Sequence, residues 1–197
     1  MTVPERPTAR AHREIAAVLR EGDLAIDATA GNGHDTVFLA KLVGEAGEVI
    51  AFDVQEQAIV STRERLAAEG LLDRVKLVHG SHGSIAKHAA AKSVAAVMFN
   101  LGYLPGGDHA VITRTEETLQ ALDGALEALR SGGLLTIVCY PGHEGGDRES
   151  AAVVAWAEQR GAEVFRREDT LKPAPFLVLV RSVDILSTLC RQDVDSP

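Results

Sequence analysis

Cysteine is almost absent from this 197-residue chain: Cys139 and Cys190 are the only two, and no spacing between them and other ligand types suits a metal. That excludes a disulfide framework and a structural zinc site as organising features. Cys139 lies inside the apolar run LLTIVCY and is expected to be a small buried thiol. Long apolar runs are also missing. None approaches the roughly 18 residues of a membrane span, and the opening MTVPERPTAR lacks the apolar stretch of a signal peptide, so the cytoplasm is the expected compartment. Positive charge is in deficit, with 20 Lys and Arg against 28 Asp and Glu, and a net charge of -8 attracts no phosphate backbone in general. An RNA partner would need a local basic patch, and two are candidates: Arg10, Arg13 and Arg20 on the first helix, and Arg160, Arg166 and Arg167 near the sixth strand.

What is present is an ordinary globular composition. Hydrophobic residues at 46% and charged residues at 24% allow a sizeable core, while 20.9 kDa is too little for a two-domain enzyme. One domain is expected over residues 1–182, followed by a frayed tail, 183–197, whose apolar patch VDILSTL permits a homodimer.

Short β-branched runs alternate with longer helical patterns, the signature of βαβ units and a parallel sheet covered on both faces. Strands are predicted at Leu24 to Thr29, Glu48 to Asp53, Arg74 to Val78, Val94 to Asn100, Leu134 to Tyr140, Glu163 to Glu168 and Phe176 to Arg181. Helices are predicted at His12 to Arg20, Asp35 to Leu42, Gln55 to Glu69, Ser84 to Ala91, Thr113 to Leu129 and Arg148 to Arg160. The link EDTLKPAP between the last two strands is too short and too proline-rich for a crossover helix, so those strands should pair as an antiparallel hairpin. A doubly wound sheet with such a final strand is the class I methyltransferase variant of the Rossmann-like α/β fold, and differs from a dinucleotide-binding dehydrogenase sheet.

Chemistry-bearing residues fall at the predicted carboxyl edge of this sheet. The first strand runs into Asp27-Ala28-Thr29-Ala30-Gly31-Asn32-Gly33-His34-Asp35-Thr36. Gly31 and Gly33 permit a sharp turn and a close ligand approach, with unpaired helix N–H groups behind them. The dinucleotide fingerprint would place a third glycine where Thr36 stands, and pyrophosphate would be repelled by Asp27. A sulfonium cofactor carrying an ammonium group would instead pair with that carboxylate. The alternative is a plain turn with Asp35 as helix cap. At the second strand's end, Asp53, followed by Gln55, can accept two ribose hydroxyls, or simply cap the next helix. Ser81 and His82 stand where an adenine would lie, unless Ser81 is a cap and His82 a surface imidazole. The fourth strand ends in Asn100, Leu101, Gly102 and Tyr103, in which Asn100 could orient an amine and Tyr103 could stack on a base. After the fifth strand His143 is a candidate proton acceptor; beside Glu144 it also invites a metal reading, for which further ligands are lacking.

The strings DATAGNGHDT, FDVQ, MFNLGYLPGGD and YPGHEGG resemble the bacterial "putative rRNA methylase" family of class I S-adenosylmethionine-dependent methyltransferases, from about Ile26 to Phe176. The resemblance implies S-adenosylmethionine as cofactor and, as substrate, the aminomethyl nitrogen of a modified wobble uridine in the tRNA anticodon, giving 5-methylaminomethyl-2-thiouridine. It implies that Asn32, His34, Asp53, Gln55, Ser81 and His82 line the cofactor, that Asp27, Gly31 and Gly33 shape its seat, and that Asn100, Tyr103 and His143 face the substrate. Gly83 stands where the family usually has glutamate, and the last hairpin reads LKPAP where the family commonly has asparagines and paired prolines. The expected reaction is direct in-line methyl transfer to a neutral amine, with water or His143 taking the proton. A small-molecule or rRNA methyltransferase, a nucleotide-dependent oxidoreductase and a non-catalytic binding protein are the competing readings.

Overall fold

The chain's alternating strand and helix patterns fold into a single seven-stranded sheet in the computed structural model, which describes residues 5–102, 115–142, 145–166 and 173–182. The strands are β1 (Leu24–Asp27), β2 (Glu48–Asp53), β3 (Val75–His79), β4 (Val94–Leu101), β5 (Leu129–Cys139), β6 (Glu163–Phe165) and β7 (Phe176–Arg181). The helices are α1 (Pro7–Val18), α2 (His34–Val43), α3 (Glu56–Ala68), α4 (Ile85–His88), α5 (Thr115–Ala128) and α6 (Gly146–Glu158). Strand order is β3-β2-β1-β4-β5-β7-β6. The first five strands pair in parallel, whereas β7 is antiparallel to both β5 and β6, as the short proline-rich link requires.

Alternation of side chains along each strand divides the core in two. Ile26, Phe52, Val97 and Phe99 pack on one face against Leu122 and Ala125 of α5 and Val153 and Trp156 of α6. Ala25, Val49, Met98 and Val138 pack on the other against Ile15 of α1, Leu39 and Val43 of α2 and Leu66 of α3. Each fully buried Leu, Ile or Phe contributes about 1.5–3 kcal/mol of hydrophobic stabilisation. Trp156 is anchored by its indole N–H, which donates to Asp123 at 2.8 Å.

Several boundaries move from their sequence-based positions. Helix α1 starts at Pro7 rather than His12, because a proline ring is already set for the first helical turn and its missing N–H costs nothing there. Strand β5 starts at Leu129 rather than Leu134, since Leu129 pairs with Val94 and the register then shifts before Ala96. Gly132, at φ 72°, lets the strand turn through this irregularity while Gly132 and Gly133 exchange backbone hydrogen bonds with Ser182. Helix α4 is a single turn, preceded by a 3₁₀ turn at His82–Ser84. The expected tail, and with it the apolar patch for a homodimer, lies outside the described residues. Among those residues, no helix is long and apolar enough to cross a membrane.

Strand β1 sits between β2 and β4, so the connection after β1 runs to one side of it and the connection after β3 returns to the other. This is the switch point at which open α/β sheets form a ligand crevice, at the carboxyl ends of the strands. Asp27, Asp53 and Asn100 all reach that edge.

Candidate active site

The loop after β1 is built mainly from backbone. Gly31 and Gly33 have φ of 54° and 79°, and a Cβ on Gly33 would come within 3.0 Å of the Thr62 Cα atom, so both conformation and space demand glycine there. Three outside groups hold the loop. The Asp53 carboxylate accepts from the Gly31 amide at 2.9 Å, Thr62 Oγ1 donates to the Gly31 carbonyl at 3.1 Å, and Arg65 Nε donates to the Asn32 carbonyl at 2.6 Å. Asp53 also accepts from the Gln55 amide at 2.9 Å. A carboxylate has about four acceptor sites, so the half-buried Asp53 keeps capacity for ribose hydroxyls. Gly33, not Asp35, is the N-cap residue of α2, and His34 is exposed on its first turn.

Asp27 lies beneath the loop. It is fully buried, with one oxygen accepting from the Thr36 hydroxyl at 2.6 Å and the other from the Thr29 amide at 3.1 Å. Both hydrogen bonds support the loop from beneath. Burial, reinforced by the nearby Asp35 charge, pushes its carboxyl up to about 7 despite those two hydrogen bonds. Thr36 thus has a task that glycine could not perform.

Ser81 acts as a cap: its hydroxyl oxygen accepts from the Gly83 amide at 3.1 Å and its O–H donates to Glu117 at 3.1 Å. His82 is no surface imidazole but a buried ring set edge-on to Phe99, 5.4 Å between centroids. Its Nδ1 donates to the Ala28 carbonyl at 3.1 Å, leaving Nε2 as an acceptor, and burial holds its pKa below the usual histidine range. Ser81 and His82 therefore tie the turn after β3 to the end of β1.

The other half of the crevice is a chain of side-chain hydrogen bonds. Asn100 Nδ2 donates to Asp35 Oδ2 at 2.6 Å, His12 Nε2 donates to Asp35 Oδ1 at 2.6 Å, and the Tyr140 hydroxyl donates to Asn100 Oδ1 at 3.1 Å. The Asn100 amide N–H donates to Thr29 Oγ1 at 2.7 Å. Burial and the Asp35 charge push the Tyr140 phenol above its usual range. Patterning in sequence assigns His12 only to a helix, Asp35 only to a cap and Tyr140 only to a strand end; the structure bonds Asp35 and Tyr140 to Asn100 directly and His12 to it through Asp35.

Tyr103 and His143 lie outside the described residues. The two proposed basic patches are largely consumed internally. Arg13 bonds Glu5 and Glu14, Arg10 stacks on Phe165, and Arg20 binds the last carbonyls of α1. Arg160 binds Asp123 and stacks on Trp156, Arg166 stacks on Phe176, and Arg167 is outside the described residues. Cys139 is a buried free thiol, pushed well above the usual range by burial. Among the described residues no group of His, Cys, Asp and Glu is placed to hold a metal ion.

A family model described as "Putative rRNA methylase" matches residues 49–172, more than half of the chain. The chain belongs to this family. A chloroplastic tRNA (mnm5s2U34)-methyltransferase of Arabidopsis thaliana is 40% identical over 163 residues, which are 77% of this chain and 59% of that protein. This chain thus spans under two thirds of that relative's length. Within the family, a "putative rRNA-methylase" crystal structure from Clostridium thermocellum superposes with a TM-score of 0.89 at 38% identity, over 92% of this chain and all of that one. A "putative methyltransferase" from Streptococcus mutans, solved in complex with SAH, gives 0.83 at 38% identity over 92% of this chain and all of that one. With the inserted antiparallel β7, these likenesses establish the Rossmann-like class I methyltransferase fold.

Proposed function

We propose that this protein is an S-adenosylmethionine-dependent methyltransferase acting on the aminomethyl nitrogen of 5-aminomethyl-2-thiouridine at the tRNA wobble position. The observation that carries the reading is the meeting of a glycine loop and the Asn100 carboxamide at one sheet edge, joined through Asp35. The donor set suits the cofactor. Asp27 and Asp53 bond the loop's amides, while Arg65 is turned to the Asn32 carbonyl, so the surroundings favour a cation over a pyrophosphate. When bound, S-adenosylmethionine supplies an electrophilic methyl group on a positively charged sulfur.

Asp53 and Gln55 hold the ribose in this proposal, Gly31, Asn32, Gly33 and His34 the methionine portion, and Ser81 and His82 the adenine, with Asp27 beneath the loop. Asn100 orients the amine, and Tyr103 and His143 complete the acceptor side. Alignment of nitrogen and methyl carbon at about 3 Å supplies most of the rate, so no strong general base is needed and the released proton passes to water or His143. The name of the Arabidopsis relative supports the nucleoside assigned, and with it an anticodon partner. Nucleoside mass spectrometry of tRNA from cells lacking the protein tests it: 5-aminomethyl-2-thiouridine should accumulate in place of its methylated form, and an unchanged methylated nucleoside would overturn the substrate. The net charge of -8 and the engaged arginines favour one second reading, a small-molecule acceptor. Methyl transfer to undermodified tRNA measured beside transfer to a metabolite extract separates the two.

A further inference from the structure

We infer that His12 and Asp35 are positioning residues that lock the Asn100 carboxamide in one of its two flip states, and that this state selects an acceptor bearing an N–H. The inference rests on the proposed methyltransferase reading. A carboxamide turned by half a revolution keeps nearly the same shape, so only its hydrogen-bond partners choose the orientation. Tyr140 cannot choose, because a hydroxyl either donates to the oxygen or accepts from the amino group. Asp35 can only accept. Its Oδ2, 2.6 Å from Asn100 Nδ2, therefore holds the amino end toward Asp35 and leaves the carbonyl oxygen toward Tyr140.

Asp35 is held in turn. His12 Nε2 occupies its other oxygen at 2.6 Å, and the imidazole lies flat on Phe38, with 3.9 Å between centroids and 4° between planes. The side chains are 32% exposed for His12 and 11% for Asp35, so the pair is mostly shielded from water that would otherwise loosen it. On the strand side, the Thr29 hydroxyl fixes the Asn100 backbone.

The consequence is chemical. With its amino group turned to Asp35 and one oxygen lone pair taken by the Tyr140 hydroxyl, Asn100 offers the acceptor the second lone pair of its oxygen. An amine that donates an N–H to this oxygen keeps its own lone pair free for the methyl carbon; the N–C bond forms as the S–C bond breaks, and a proton leaves the new ammonium to water. In the opposite flip state the amide N–H would compete for that lone pair.

The chain contains only two asparagines, Asn32 and Asn100, so asparagine-selective ¹⁵N labelling of the whole protein gives two side-chain amide pairs. In the wild type the Asn100 pair should be displaced downfield by the carboxylate. Asp35→Leu should abolish the displacement and lower kcat on undermodified tRNA about 100-fold, the scale of a 1 Å misplacement, with SAH affinity within about twofold of wild type by calorimetry. Asp35→Asn should keep part of the displacement, since its oxygen can face Asn100 while its amino group donates to a His12 in the Nδ1–H tautomer, and should stay within about tenfold in kcat. If Asp35→Leu does not fold, a second pair decides: His12→Ala should lose about tenfold and the downfield shift, and His12→Gln, whose Nε2 replaces that of imidazole, should restore both. An Asn100 signal unmoved by Asp35→Leu and His12→Ala, or kcat and SAH affinity falling in parallel, would overturn the inference. Absence of SAH binding to the wild type would overturn the proposed function instead, and the amide signals would still report whether Asp35 sets the flip.

Discussion

The two halves of the crevice are built by different means. On the β1–β2–β3 side, backbone turns, glycines at positive φ and the Asp53 carboxylate and Ser81 hydroxyl capping amides form the surface, and its key groups come from the loop after β1 and the ends of the next two strands. On the β4–β5 side four side chains from α1, α2, β4 and the end of β5 form one chain of hydrogen bonds across sequence separations of 23, 65 and 40 residues. The first half is a rigid seat that a local motif can encode. The second is a side-chain network whose geometry exists only once α1, α2, β4 and the end of β5 have come together.

If the halves are separable in function, mutations should separate them. Asn100→Ala should have the largest effect, lowering turnover by about 100- to 1,000-fold with SAH affinity within about twofold, because the proposed arrangement gives the group the acceptor and not the cofactor to hold. Asp53→Ala should do the converse, weakening SAH by about 1.5–3 kcal/mol through loss of charged hydrogen bonds while turnover at saturating cofactor falls much less. Calorimetry with steady-state kinetics on both variants would break the comparison if either changed both quantities equally.

Gly33→Ala should cost about 1–3 kcal/mol of stability, since φ of 79° and a 3.0 Å approach to Thr62 leave no room for a methyl group. Its unfolding midpoint in urea reports this directly. Asp27 sharpens the picture of the seat through pH. Its folded-state pKa is raised, so the folded chain holds this proton more tightly than the unfolded one, and the stability it contributes is complete below about pH 4 and is lost as pH rises toward 7. The wild type should lose at most about 1.4 kcal/mol per pH unit across that window from this group, and Asp27→Asn should flatten the dependence. Tyr140→Phe should have the smallest effect, about three- to tenfold in turnover for one neutral hydrogen bond, because Asp35 still orients Asn100.

The same contrast explains what could be read from the sequence. Gly31, Gly33 and Asp53 were legible because glycines between a strand and a helix, and an acid at the next strand's end, have local causes. The β6–β7 hairpin was legible because a short proline-rich link cannot cross over. The burial of Asp27 was not, since the Thr36 hydroxyl that satisfies it lies on the following helix and is recognised only in three dimensions. His12 escaped notice for a similar reason: on a helix drawn from residue 12 onward it is the first residue, whereas Pro7 starts the helix earlier and places His12 in its middle, over α2.

The central claim is that cofactor and acceptor are held by separate halves of one crevice. Calorimetric titration of SAH into Asp53→Ala and Asn100→Ala, side by side with the wild type, tests it most directly. The account predicts that affinity falls by at least about tenfold in the first and stays within about twofold in the second; equal losses, or a loss confined to Asn100→Ala, would contradict it.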